Sequence, residues 1–586
     1  MLSPELFHIG QHDGYPVSKQ TRFRDDAGTE RLETVYAYDW YSGKVQPQQQ
    51  TTTLPVVSTS QNGPGTATTQ KQAFDERGNL TWSMDARGFI THMVYDPVLG
   101  AMLQRIDDAD TSLLSGVPSG WSTPSGGGKH LVYDYEIDSQ GRTTQELRPS
   151  HTIDLEGTAT VIRRAIWTVY KDAEHATWTA SGYATGTGPA YTYTLINPVN
   201  IQQRDPRGNM IEQIQVTRGS TSGRLQPTDT FSQASFTRWT TWQYTDCCFV
   251  SSKRVYHTIP ASGEGASGTN YDQTTYGYDS LKRRNLEISP GGTITRSVYD
   301  VRDNVVATYV GTDDTGATAS DPTGGGAAGN NMVQISAFQF DSGDDQGDNN
   351  LTRQTSYVDN ASSRITSFTY DWRNRRVDTD GELDAFQRVT YDNLNRVVVS
   401  ERFDTSAAGN LVARSETKYD NLGRIYESIR YGVDPSTGTV GNPITSNYWF
   451  DAAGNPIKSL PGGAKKFTKQ SYDSLGRVVI SYVGFGDDTT YADATTVTGD
   501  VILIQSETTY DDAGNSIQSA TRQRYHNAPA AQTGALGSPT VTPNARIQYS
   551  ANYPDALGRS VATAGYGTNG GVSFTRSATI PASSDT

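Results

Sequence analysis

Tyr472-Asp473-Ser474-Leu475-Gly476-Arg477, running on into Val478-Val479-Ile480-Ser481-Tyr482, is the stretch that decides the fold. An Asp that opens a type I turn can accept hydrogen bonds from the backbone ahead of it. Three residues later, Gly takes the left-handed conformation that completes a bulged hairpin. The alternating residues behind the turn read as a strand. One such hexamer would mean little, so the question is whether it recurs.

It recurs along the chain. Tyr419-Asp420-Asn421-Leu422-Gly423-Arg424 repeats it closely, and YDNLNR (Tyr391, Asp392), YDWRNR (Tyr370, Asp371) and YDSLKR (Tyr278, Asp279) are looser copies. FDERGN at 74–79, FDAAGN (Phe450, Asp451, Gly454) and YDDAGN (Tyr510, Asp511, Gly514) end in Asn instead of Arg. IDSQGR at 137–142, DPRGN at 205–209 and PDALGR at 554–559 keep the turn without the leading Tyr or Phe. The cleanest interval is 21 residues: Phe74 to Tyr95, Tyr278 to Tyr299, and Tyr370 to Tyr391. Where Gly is missing, Asn374, Asn395 or Asp303 stands in, and these residue types also tolerate positive φ. Lys282 breaks that rule. Between consecutive signatures lies a second turn, as at Ala86-Arg87-Gly88 or Pro461-Gly462-Gly463, so one unit is strand, turn, strand, turn. No long segment carries the apolar spacing and caps of a helix. The expectation is an all-β, mostly antiparallel hairpin strip.

Composition agrees. Of 586 residues only 34% are apolar, while Gly supplies 57 and Tyr 33. That is too little aliphatic material for large two-layer cores and too much aromatic material for disorder. A sheet wet on one or both faces fits, because Tyr packs its ring and still shows its hydroxyl to water. The net charge of −14 and the lack of any Lys/Arg cluster of five or more argue against a nucleic-acid partner. No apolar run is long enough to span a membrane, and the first residues lack the basic-then-apolar pattern of a signal peptide. Cys247 and Cys248 are adjacent and make no disulfide framework; they read as small buried or idle thiols.

The repeated aromatic-Asp, two variable residues, Gly, Arg/Asn at near 21-residue spacing resembles the RHS/YD-repeat family of bacterial polymorphic toxins, insecticidal toxin-complex shells and animal teneurins. The resemblance covers roughly 36 to 565 and is densest from 278 to 515. It implies a β-hairpin strip that spirals into a shell or barrel, which encloses a toxin or presents a surface to proteins or glycans. Family shells are usually longer and often end in a self-cleavage segment with paired Asp-Pro motifs, then a toxin. Neither precedes the end at Pro581-Ala-Ser-Ser-Asp-Thr586, which suggests a shell portion or an orphan copy. On this reading residues 1–35 are an N-terminal flank and 36–150 are repeats with long loops. Residues 151–245 are diverged repeats or an inserted β module, with the DPRGN turn favouring repeats. Residues 246–565 are the main array and 566–586 a C-terminal flank.

Low-complexity inserts rich in Gly, Ser, Thr and Pro separate the signatures: 46–72, 112–129, 219–233, 260–270, 311–331 and 528–543. They read as exposed loops at the sheet edges. Other motifs offer little chemistry. Gly263-Glu264-Gly265-Ala266-Ser267-Gly268 matches GxGxxG but precedes no helix, and Gly126-Gly127-Gly128-Lys129 lacks the first P-loop glycine. His8 and His12 lie near the terminus, and no zinc-ligand spacing or GxSxG elbow occurs. Asp341, Asp344, Asp345 and Asp348 are a weak Ca²⁺ candidate, since four carboxylates in a Gly-containing loop suit a hard ion, but the EF-hand order is missing. Asp205-Pro206-Arg207-Gly208 matches the family's self-cleavage element but stands alone mid-chain and reads as a turn. The signature Asp recurs in every unit, whereas an active site occurs once, so no residue is assigned as catalytic and no cofactor is expected.

Two functions follow. The first is a non-catalytic structural shell or scaffold segment of an exported RHS-type protein, secreted or on the cell surface, whose partner is a toxin or the remainder of the shell. The second is a cell-surface adhesive module that binds carbohydrate or protein through its outer loops. An exposed cluster of Trp167, Trp178, Trp239 and Trp242 would favour the second.

Overall fold

The computed structural model describes residues 16–245, 248–343, 347–359, 362–381, 385–486 and 489–582. These form one 35-stranded sheet, in which each strand is antiparallel to its sequence neighbours, from Lys19–Phe23 to Ser560–Gly567. Among the described residues the longest helix is the single turn Tyr491–Ala494. The all-β hairpin strip is therefore the fold. The sheet runs without a break through 151–245, and its first strand already lies within residues 1–35.

The signatures make the turns. Gly423 has φ +85° and Gly476 φ +77°, and the replacements Asn374, Asn395 and Asp303 take φ of 59°, 62° and 68°. Lys282 adopts φ 68° as well, so the turn imposes its geometry even on a residue that pays for it in strain. The register shifts by one residue just before each aromatic, as between Lys418 and Tyr419 or between Ser471 and Tyr472. That is the bulge the Asp-to-Gly spacing demands. Cys248, with φ 71° and its N–H bonded to the Thr245 carbonyl, occupies the glycine position of a worn signature that begins at Tyr244. It is exposed rather than buried; Cys247 lies outside the described residues.

The inserts are not simply exposed loops. Most plant a buried residue on the sheet: Val57 in 46–72, Trp121 in 112–129, Leu225 in 219–233 and Leu536 in 528–543. Trp121 joins Trp82, Ile90 and Ile106, and Leu536 joins Phe467, Tyr482 and Ile502. Only 260–270 is exposed nearly throughout. Between Phe485 and Val501 a further loop is held by buried Lys469, whose Nζ donates to Asp500 Oδ2 at 2.6 Å and to the carbonyls of Asp493 and Thr496, each at 2.7 Å.

The largest core lies on one face of the strands from Thr143–Leu155 to Tyr271–Tyr278. It holds Trp167, Trp178, Trp239, Leu195 and Ile214 under a cover that includes Leu225 and Phe231. Trp167, Trp178 and Trp239 are 1%, 7% and 6% exposed, so these three tryptophans form a core and not the exposed cluster that would favour adhesion.

Candidate functional site

Each signature is a small hydrogen-bonded clamp. The Asp420 carboxylate is 1% exposed; its Oδ1 accepts from the N–H groups of Leu422 and Arg424 and its Oδ2 from Arg424 Nε. Asp279, Asp371, Asp392, Asp473 and Asp555 repeat the set. Where Asn ends the motif, its Nδ2 replaces the guanidinium, as at Asp451–Asn455 and Asp511–Asn515. The hexamer's last residue is thus Arg or Asn because only a side chain with an N–H at that reach satisfies Oδ2.

The Arg also reaches the next unit. Arg375 Nη1 donates to the Asp392 carbonyl at 2.7 Å while its guanidinium lies 4.7 Å from the Tyr391 ring centroid. Arg424 does the same to Asp451 and Phe450, and Arg477 stacks on Tyr510. The tyrosine hydroxyl then donates backwards, Tyr278 to Val250, Tyr370 to Leu351, Tyr391 to Arg376, Tyr419 to Val397 and Tyr472 to Pro456, at 2.8–3.2 Å. Tyr, Asp and Arg therefore tie neighbouring hairpins into a continuous ladder along one edge of the strip.

That edge meets an earlier part of the chain. Arg24 Nη1 donates to the Tyr419 carbonyl at 2.6 Å, and Asn421 Nδ2 to the Val56 carbonyl at 2.5 Å. Asn62 Nδ2 donates to the carbonyls of Tyr426 and Tyr448. Arg87 bonds the carbonyls of Asp473 and Ser474 at 2.8 and 2.9 Å, Lys129 Nζ bonds Asp473 Oδ2 at 2.8 Å, and Arg164 bonds Asn515. These contacts join residues 344 to 395 apart in sequence, so the strip coils back on itself and forms a seam. Roughly two dozen strands separate the two sides. At about 4.8 Å per strand that is a path of roughly 115 Å, or about 37 Å across if circular.

The tightest point of the seam is Asp108, 3% exposed. Its carboxylate accepts from the N–H groups of Gly128 and Lys129 and from Ser474 Oγ at 2.5 Å. Gly127 is needed there, since a Cβ would sit 2.9 Å from Asp108 Oδ1. The Gly-Gly-Gly-Lys stretch is therefore a latch between winds. Nothing local in the sequence announces this, because its partner lies hundreds of residues away. At Asp473 burial opposes ionisation, but hydrogen bonds from Arg477 and Lys129 outweigh it and hold the carboxyl at about 2.

Of the acidic candidate, only Asp341 and Asp348 lie within the described residues. Asp341 gives its carboxylate to Arg302 at 2.7 Å and to the N–H groups of Asn349 and Asn350, as a signature Asp following Phe340. Asp348 is exposed, and Asp344 and Asp345 lie outside the described residues. Among the described residues no three His, Cys, Asp or Glu side chains group as metal ligands. His8 and His12 also lie outside the described residues. Gly263–Gly268 is an exposed loop, and Asp205 makes the ordinary turn bonds to Arg207 and Asn209.

No family model matches the chain, and no curated protein matches it. Among solved structures it is similar to the crystal structure of TcdB2-TccC3-TEV, at 12% identity and a TM-score of 0.32, over 92% of this chain and 30% of that one. It is similar also to the crystal structure of TcdB2-TccC3, at 12% identity and a TM-score of 0.29, over 92% and 32%. A third is the Photorhabdus luminescens Tc holotoxin pore, at 11% identity and a TM-score of 0.26, over 91% and 28%. The chain thus spans less than a third of the length of these structures. At such TM-scores the likeness carries no argument, and function has to be read from the strip itself.

Proposed function

We propose that this chain is a non-catalytic wall segment of a β-strip shell, exported to the cell surface or secreted, that encloses or presents a partner polypeptide. The observation that carries the reading is the seam: a strip whose clamps run along one edge, and which returns to latch onto that edge, is built to enclose space. The sequence resemblance to RHS/YD-repeat proteins points the same way and supplies the expectation of a toxin or further shell as the partner. The adhesive alternative loses its motive, because Trp167, Trp178 and Trp239 are buried and Trp242 is half-buried beneath Lys253.

The test is shielding. The chain is fused at its C-terminus to an unstructured reporter and treated with a nonspecific protease beside the same reporter on a compact carrier. Slower digestion of the fusion, abolished by the seam variant Ser474→Arg, is the expected result. Digestion at the carrier's rate would reject the enclosing role.

A further inference from the structure

Both halves of the seam reappear, uncovered, elsewhere on the chain. From Asn393 onward most of the signature turns lie beneath the earlier wind: Asn393 and Asn421 are half-buried, and Ser474 and Ala556 are 6% and 4% exposed, although Asp512 stays exposed. In the turns before that point the third residues, Pro97, Ser280, Val301 and Trp372, are all exposed, Val301 and Trp372 at 81% and 77%, and the fourth residues Val98 and Leu281 stand out at 86% and 66%. The change comes one wind into the strip. Among the described residues nothing lies on the signature edge of the first wind, although its turns offer the acceptors that Arg24, Arg87 and Lys129 use farther on.

The other half is open too. In the second wind the edge opposite the signatures carries exposed Val440, Phe485, Tyr525 and Val541, at 42%, 39%, 37% and 57%. Lys466 and Arg546 are exposed near the same edge. A cavity of about 320 Å³ opens between Tyr525, Pro539, Arg546 and Ile547, with room for an apolar side chain. Single exposed apolar residues are ordinary and occur elsewhere on this sheet, but these stand on the two edges that already dock within the chain.

We propose that a second copy of this chain docks head to tail, seating its uncovered second-wind edge on the uncovered signature rim of the first. The interface would continue the intramolecular seam: Lys and Arg on one edge meet turn carbonyls and Asp on the other, with apolar residues between. The two patches differ, so the contact is heterologous and repeats from copy to copy instead of closing as a two-fold dimer. This stacking goes beyond the wall reading and does not depend on any enclosed polypeptide.

The intact chain should show a mass that rises in one-chain steps between about 1 and about 200 µM in sedimentation. The rim variant Val301→Glu/Trp372→Glu and the edge variant Tyr525→Glu/Val541→Glu, all at exposed positions, should each stay at the mass of one chain with an unchanged circular dichroism spectrum. Each variant keeps one intact patch, so mixing the two should restore a 1:1 complex and nothing larger. A single-chain mass for the parent throughout, a two-fold dimer, stacks that persist in either variant, or a mixture that stays apart would each overturn the proposal. Retention by vesicles or by an unrelated basic protein without self-association would overturn it as well.

Discussion

Residues 143–271 and residues 363–477 are the same strip held in shape by different means. The first sector has strands of up to 14 residues and buries Trp167, Trp178, Trp239, Leu195 and Ile214 on one face beneath a covering loop. The second has shorter strands and a wet face, where Arg388 reaches Asp378 at 2.8 Å and Arg414 reaches Glu401 at 2.6 Å and Glu416 at 2.8 Å. Half-exposed ion pairs of that kind contribute little, so outside the buried patch of Trp449, Ile457 and Phe467 the second sector leans on its signature clamps. Beside the covered core of the first sector the signature at Tyr244–Phe249 has worn away. Where the face is wet, the Tyr, Asp and Arg are kept.

The sharpest way to break the comparison is to exchange the costs. Trp167→Ala should destabilise the first sector by about 3–5 kcal/mol, because it removes a fully buried indole whose Nε1 donates to Gln145. Asp420→Ala should cost the second sector about 2–4 kcal/mol, because it strands two backbone N–H groups and a guanidinium. Hydrogen exchange resolved along the chain should show each loss confined to its own sector and its seam partner. Uniform loss in both cases would mean that the two sectors share one mechanism.

Acid should separate them next. The Asp473 carboxyl ionises at about 2 in the folded chain against 3.8 for an ordinary Asp. Its folded value is depressed, so its contribution of about 2 kcal/mol is complete above roughly pH 5 and disappears as pH falls toward 2. The urea midpoints of the parent and of Asp473→Asn should therefore differ at neutral pH and converge on acidification. A constant gap would show that the seam does not draw on this ionisation.

The smallest effects lie in the turns. Gly423→Val should cost about 1–3 kcal/mol from backbone strain alone, since the nearest atom to a new Cβ is Arg396 Nη1 at 3.5 Å. Asn395→Gly, at φ 62°, should move the thermal midpoint hardly at all. A silent Gly423→Val would remove the account of the signature's fifth position.

Local chemistry was legible in the sequence and distant contact was not. The Asp-to-Gly spacing foretold the turn, the bulge and the positive φ at Asn374, Asn395 and Asp303, because all of these are settled within six residues. The reason for Arg or Asn in the last place is half local, the bond to its own Asp, and half set by the next hairpin, which stands 17 residues on for Arg375. The buried loop anchors left a fainter signal: a lone Trp121 in a Gly/Ser/Pro insert is costly to leave in water. Asp108, Gly127 and Lys129 left no signal, since Asp473 and Ser474 complete them from the other end of the chain.

Whether the strip coils back and latches can be read from zero-length carbodiimide cross-linking of dilute chain followed by peptide mass analysis. The account predicts a Lys129–Asp473 cross-link within single-chain product, spanning 344 residues and made across a 2.8 Å ion pair. The neighbouring-strand pair Lys418–Glu427, at 3.0 Å, should link in the same sample as an internal standard. Formation of the local link without the distant one would mean that the strip is open and the seam does not exist in solution.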